Sequence, residues 1–206
     1  LLRADRTVAR KALGLKENER LILSFGGSLG ARRVNEAMAE VLVWSVKEGN
    51  FRHIHGYGQW GKWFPGLLEK KGIVLDQHPE LDIREYISDM PQCLAAADLV
   101  ICRAGAITLS ELQACGRASI LIPSPNVAEN HQYHNAMAMV NRGAAEILEE
   151  KDLTGEALCE IIKRLFEEPG TIEKLAENAR KMAITDANER IYRVIKEVLA
   201  TPAGRP

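Results

Sequence analysis

The chain has 206 residues, 46 % of them hydrophobic and 27 % charged, with a formal net charge of −1. That length admits one large domain with a substantial core or two small ones, and the near-neutral balance, with no dense Lys/Arg cluster, excludes a nucleic-acid binder. The four cysteines have no CxxC spacing and read as reduced, buried thiols of a cytoplasmic protein. Asp98 and Arg103 interrupt the longest apolar stretches, so none has the length to span a bilayer. No signal-peptide pattern is present, and the opening Leu1-Leu2-Arg3, without an initiator methionine, reads as a fragment or a processed product.

In chain order, a short charged helix ends near Gly14. Residues 21–25 read as a buried strand, and 31–46 carries apolar residues at helical spacing. A second strand follows at 51–55, the end of a helix at 67–71 and a short strand at 73–75. Tyr86 and Ile87 precede a helix that Pro91 starts. Strands at 99–102, 119–122 and 145–148 bring the total to about six, with helices between them. This alternation predicts an α/β fold, a doubly wound parallel sheet covered on both faces, with its ligand beyond the carboxyl ends of the strands. Helices without strands follow at 155–166, 171–182 and 187–199. The expected organisation is a ligand-binding domain over 1–153, C-terminal helices of the same domain over 154–200 and a tail over 201–206. No internal repeat is present.

The most informative stretch is 101–136. Arg103-Ala104-Gly105-Ala106 carries a strand through glycine into a helix, which aims unpaired backbone N–H groups at one point and suits a phosphate. The first strand ends in a similar loop, Gly26-Gly27-Ser28-Leu29-Gly30-Ala31-Arg32, either an anion cradle with a Ser28 hydroxyl or a glycine turn required by packing. It fails as a dinucleotide fingerprint, because Phe25 stands where glycine is needed and the second strand ends His55-Gly56 without an acidic residue. Thr108-Leu109-Ser110-Glu111 admits two readings. It fits a capping box, in which Glu111 bonds backbone. If the helix instead begins near Ala106, Glu111 lies about 7.5 Å along the axis and reaches a sugar diol.

Around the next helix start, Gln132 and Asn135 share a face suited to sugar hydroxyls. His131 and His134, with Glu129 nearby, lack a third metal ligand and read as capping or surface residues. Trp60 and Trp63, with Tyr57, form either a stacking platform or, more commonly, core. His53 and His55 alternate along a strand and read as structural.

Four motifs together carry a resemblance over nearly the whole chain: Gly26-Gly27-Ser28-x-Gly30-Ala31 with Asn35; Tyr86-Ile87-x-Asp89-Met90; Arg103-x-Gly105-Ala106-x-Thr108-x-Ser110-Glu111; and Gln132-x-x-Asn135-Ala136. In this order and at these distances they resemble the carboxyl-terminal half of the MurG family, the UDP-N-acetylglucosamine transferases that make lipid II for peptidoglycan. The resemblance implies one Rossmann-like half of a GT-B glycosyltransferase, with residues 1–153 as the UDP-sugar domain.

It further implies that Gly27, Ser28 and the backbone of Ala106 and Ile107 meet the diphosphate. The Ile87 backbone reads the uracil edge beside Tyr86, Glu111 holds the ribose hydroxyls, and Gln132 bonds the N-acetylglucosamine hydroxyls. Asn135 is a second contact or a support, Arg103 and Thr108 shape the loop, and Leu109 and Ser110 complete the binding segment. Tyr86 stands where the family often has Phe, and Gln59 where a Lys is frequent.

The family's GGTGGH loop is absent from this sequence. Catalytic residues, the lipid I acceptor contact and the membrane-docking patch are therefore expected in a missing N-terminal domain, with the full-length protein peripheral on the cytoplasmic face of the bacterial membrane. No cofactor and no metal are expected, and UDP-N-acetylglucosamine is the expected small-molecule partner. Rival readings are a stand-alone subunit of a two-chain glycosyltransferase, a UDP-N-acetylglucosamine epimerase-like domain and a UDP-sugar sensor.

Overall fold

The computed structural model describes residues 5–48 and 51–200; the readings placed on Leu1-Leu2-Arg3 and on 201–206 lie outside the described residues. Strands β1 (Arg20–Phe25), β2 (Phe51–Gly56), β3 (Leu81–Arg84), β4 (Leu99–Cys102), β5 (Ala118–Leu121) and β6 (Glu146–Ile147) form one sheet in the order β3-β2-β1-β4-β5-β6. Every pairing is parallel. Helices α1 (Arg6–Ala12), α2 (Arg32–Glu48), α3 (Phe64–Lys70), α4 (Met90–Ala96), α5 (Ala106–Cys115) and α6 (His131–Val140) connect the strands or flank them, and α7 (Gly155–Glu167), α8 (Thr171–Lys181) and α9 (Ala187–Ala200) follow.

The central strands are almost wholly buried because both faces of the sheet are covered, and their polar side chains Ser24, His53, His55 and Ser119 are buried with the apolar ones. Side chains alternate between two cores. Leu21, Leu23 and Phe25 of β1 join Leu94 of α4 and Leu112 of α5 on one face. Ile22 joins Met38 of α2 and Ile162 of α7 on the other. Among the C-terminal helices, α7 packs against α2, and α8 against α5 and β5. Helix α9 is exposed along its length, including Ile191, Ile195, Val198 and Leu199.

One predicted element moves. The strand expected at 73–75 is absent; Ile73 tucks into a small core below α2 and α3, and Leu75–Gln77 is a 3₁₀ turn. The strand lies instead at Leu81–Arg84. It is the sheet edge, so only alternate residues face the core: Leu81 and Ile83 contribute apolar surface, while Asp82 and Arg84 pair with each other. Such a strand shows period-two alternation rather than the continuous apolar run sought at 73–75.

His53 and His55 are structural, as expected. Both are fully buried. His53 Nε2 meets the Ser45 hydroxyl at 2.9 Å, and His55 Nδ1 meets that of Ser24 at 2.8 Å. The other nitrogen of each ring is buried without a partner, so an imidazolium there would lack one acceptor. Burial holds both pKa values down to about 3, with His53 also opposing the charging of His55.

The unfolded chain binds these protons near pH 6.5 and the folded chain does not. Stability is therefore complete above pH 6.5 and falls as the pH drops towards 3. At pH 5.5 the loss should be about 1.4 kcal/mol for each ring. Urea midpoints at pH 7.5 and 5.5 measure it, and equal midpoints would show that the rings protonate in the native state.

Candidate functional site

Strand order reverses between β1 and β4, and the loops leaving their carboxyl ends meet there. Helix α5 begins at Ala106 with Gly105 as its N-cap, which supplies no side-chain hydrogen bond. The first intrahelical bond runs from Leu109 N–H to the Gly105 carbonyl at 3.0 Å, so the N–H groups of Ala106, Ile107 and Thr108 have no intrahelical acceptor. With the helix dipole behind them they form an anion-binding tip.

This geometry removes one of the two readings of Glu111. Thr108 lies in the first turn and is not the cap, so the capping box does not form. Glu111 instead projects from the second turn, partly buried, and burial raises its pKa.

Two hollows meet at the tip. One, of about 270 Å³, is lined by Ser28, Tyr86, Ile87, Met90 and Glu111 among others. The second, of about 570 Å³, includes Gly30, Arg103, Gly105, Ser124 and Gln132. Phe25, Gly27 and Thr108 line both, so the hollows are two chambers of one groove joined at the start of α5.

In the smaller chamber the loop carrying Tyr86 and Ile87 is pinned from two sides. Arg84 pairs with Asp82 and, at 2.5 Å, with Asp89; Tyr57 and Gly58 donate N–H to the carbonyls of Arg84 and Glu85, both at 2.9 Å. The Ile87 side chain is buried against Gly56, while its N–H and C=O bond no other backbone group among the described residues. Tyr86 is 66 % exposed at the rim.

In the larger chamber Gln132 accepts a hydrogen bond from Ser124 N–H at 2.9 Å through Oε1. That bond requires the oxygen on the loop side and leaves the amide NH₂ as a donor for the chamber. Arg103 donates to the carbonyls of Ile122 and Pro123 at 3.2 and 3.1 Å and pairs with Glu150; its charge is engaged within the protein, and it shapes the loop. Asn135 Nδ2 donates to the Ala104 carbonyl at 3.3 Å and supports the turn after β4. Ser110 bonds the Ala106 carbonyl at 3.0 Å, Leu109 is buried in the core, and Ile107 is 79 % exposed at the tip.

The glycine loop after β1 is locked against the loop after β2. Gln59 and Trp60 donate N–H to the carbonyls of Ser28 and Leu29 at 3.1 and 3.0 Å. Gly30 and Gly58 approach so closely that a Cβ on Gly30 would stand 2.2 Å from the Tyr57 carbonyl oxygen, and one on Gly58 2.1 Å from Gly30 N. Asn35 completes the clamp by donating to the Tyr57 carbonyl at 2.9 Å.

Sequence reasoning missed Gly58 and Glu150. The alternating glycines of Gly56-Tyr57-Gly58 are a signal for the first; nothing in the spacing relates Glu150 to Arg103, forty-seven residues away. Trp60, expected in the core, is 72 % exposed beside the larger chamber, and Trp63 carries the Arg32 guanidinium 5.5 Å from its ring. Trp60 stands at the groove edge because the loop that bears it is the one packed on Gly30. His131 bonds the Ala128 carbonyl at 3.0 Å and His134 is exposed; no cluster of three potential metal ligands occurs among the described residues.

A sheet of this order, with an uncapped helix tip joining two chambers at its switch point, is a Rossmann-like nucleotide-binding fold of the kind that forms one half of a GT-B glycosyltransferase. The model of the glycosyltransferase family 28 C-terminal domain matches residues 21–191, and the chain belongs to that family. It is 42 % identical over 204 residues to the UDP-N-acetylglucosamine–N-acetylmuramyl-(pentapeptide) pyrophosphoryl-undecaprenol N-acetylglucosamine transferase of Acetivibrio thermocellus, covering 99 % of this chain and 54 % of that protein.

The crystal structure of Acinetobacter baumannii MurG superposes with a TM-score of 0.77 at 28 % identity, over 95 % of this chain and 54 % of the other. A UDP co-structure of Staphylococcus aureus MnaA shares the fold at a TM-score of 0.70 and 12 % identity, over 96 % and 50 %. The chain thus spans about half the length of the curated relatives it matches.

Proposed function

We propose that this chain is the donor-binding half of an inverting transferase that moves N-acetylglucosamine from its UDP donor to the 4-hydroxyl of undecaprenyl-diphospho-N-acetylmuramoyl-pentapeptide, the step from lipid I to lipid II. The observation that carries this reading is the two-chambered groove joined at the uncapped tip of α5. The smaller chamber takes uridine: the free Ile87 peptide offers one donor and one acceptor to the uracil edge, and Glu111 accepts from the ribose hydroxyls. The diphosphate lies across Gly27, Ser28 and the α5 tip. The larger chamber takes the sugar, with the Gln132 NH₂ donating to its hydroxyls.

In the transfer the acceptor oxygen bonds to the anomeric carbon as the bond from that carbon to the diphosphate oxygen breaks, and UDP carries away the electron pair. Negative charge then grows on the diphosphate, and the preorganised N–H groups of Ala106, Ile107 and Thr108 stabilise it. In this reading the base that takes the acceptor proton, the acceptor contacts and the membrane-binding surface belong to the other half of the protein, and the whole enzyme is peripheral on the cytoplasmic face of the membrane. No helix among the described residues is long and apolar enough to cross a bilayer.

Calorimetric titration of the purified chain tests the reading. UDP and UDP-N-acetylglucosamine should bind and NAD should not, and the chain alone should transfer no sugar to a lipid acceptor. Binding of NAD in place of UDP, or transfer by this chain alone, would overturn it. In Gln132→Ala the preference for UDP-N-acetylglucosamine over UDP should shrink by about tenfold, the loss of one hydrogen bond. An unchanged ratio would remove Gln132 from the sugar chamber.

A further inference from the structure

A second polar hollow lies at the opposite end of the sheet, where the chain enters β4 and β5. Its volume is about 410 Å³, and Arg6, Arg117 and Arg180 line it from three separate segments, with Ile172 and Ala176 of α8 as an apolar wall. The strands between this cleft and the donor groove are four residues long, so about 13 Å of sheet separates them.

The three guanidinium groups differ in how far the protein satisfies them. Arg6 pairs with Asp98 at 2.5 Å, a carboxylate already shared with Arg10 at 3.2 Å and with Leu21 N–H at 2.7 Å. Arg117 reaches only the Ala97 carbonyl, at 3.4 Å, and its Nε is buried with no partner. Arg180 is folded over the turn at Gly116, where a Cβ would stand 2.7 Å from its Nε. Its guanidinium makes no hydrogen bond or ion pair among the described residues.

Glu173 and Glu177 also line the cleft, and Lys181 engages Glu177 at 2.8 Å. The lining thus holds Arg6, Arg117 and Arg180 with Asp98, Glu173 and Glu177, and two of those carboxylates are engaged by cations outside it, Asp98 by Arg10 and Glu177 by Lys181. Burial first, and then the neighbouring charges of Arg6 and Arg180, push the pKa of Arg117 down to about 10. Arg117, whose Nε is buried without a partner, is the member of the trio that an anion would satisfy.

We propose that this cleft binds the phosphate group of a small phosphorylated ligand, separately from the donor groove. A tetrahedral oxyanion matches donors converging from three directions, and guanidinium forks pair with phosphate oxygens bidentately. The volume lies in the range of small-molecule sites and exceeds what a bare ion fills; Ile172 and Ala176 offer contact to the body of the ligand.

Inorganic phosphate and pyrophosphate, titrated into ¹⁵N-labelled protein with UDP present, test the site by NMR. Saturable shifts should appear at the Nε–H signals of Arg117 and Arg180 and at the Gly116 amide. Arg180→Gln should weaken the binding about tenfold and leave UDP affinity and the melting temperature unchanged, and Arg180→Lys should recover part of it.

Phosphatidylglycerol vesicles form a second arm. Co-sedimentation lost in Arg180→Gln would assign the phosphate to a lipid headgroup, and a response to the free anions without vesicle binding would assign it to a soluble ligand. No saturable shift with any of these probes, shifts confined to the donor groove, or equal affinity in Arg180→Gln would each overturn the proposal, whatever the outcome at the UDP site.

Discussion

Replacing Glu111 by alanine should weaken UDP binding by about ten- to a hundredfold while leaving the melting temperature within a few degrees. A carboxylate that accepts two ribose hydroxyls contributes charge-assisted hydrogen bonds worth about 1.5–3 kcal/mol each, and part of that is regained by water in the variant. No cap is lost, because α5 starts at Ala106 with Gly105 before it. Alanine in the second turn is, if anything, favourable to the helix. The raised pKa of the carboxyl, caused by its burial, adds a pH signature: the Glu111-dependent part of UDP affinity should decline as acidification protonates the group. Calorimetry across pH, paired with thermal melts, checks both statements. A large loss of stability with unchanged affinity would return Glu111 to a structural role.

The second large effect concerns Gly30. Alanine there meets two obstacles at once. The backbone sits at φ +84°, and the new Cβ would stand 2.2 Å from the Tyr57 carbonyl oxygen. The left-handed conformation costs an L-residue about 1–2 kcal/mol, and forcing two packed segments apart adds about 1–3. Gly30→Ala should therefore lower stability by about 2–5 kcal/mol.

The same change should reduce UDP affinity at least tenfold, since displacing the loop moves Gly27 and Ser28 as well. Gly27 provides the control: at φ +95° it is equally left-handed, but a Cβ there meets nothing within 4 Å. Gly27→Ala should show the conformational cost alone. Equal destabilisation in the two variants, measured by urea unfolding, would mean that the close approach of the two loops contributes nothing.

Much of this molecule is legible before any coordinates. The buried strands β1, β4 and β5 announce themselves as largely apolar runs, because a parallel sheet covered on both faces admits few polar side chains. The α5 tip is readable from Gly105 after a strand, and α7, α8 and α9 from apolar residues at helical spacing. Strand β3 was not legible in the same way: an edge strand buries one face, and Leu-Asp-Ile-Arg alternates apolar and charged residues. Trp60 misleads for a related reason. Its composition suggests core, but its position follows from the loop that clamps Gly30.

The amino-acid order by itself determined the class of fold, the two strand-to-helix turns at the site and the chemistry available there: free amides, one carboxylate and one amide side chain. These are local properties, set by which residues sit within one turn of a glycine or at one period of a helix. Only the tertiary structure decided that Glu111 forms no capping box, that Gln132 points its NH₂ and not its oxygen into the groove, and that Arg103 is engaged by Glu150. Only it brought Arg6, Arg117 and Arg180 to one cleft. Those outcomes depend on where a helix starts or on a partner brought up by the fold, eight residues away for Gln132 and dozens for the arginines, and these are fixed by how the segments pack rather than by immediate neighbours along the chain.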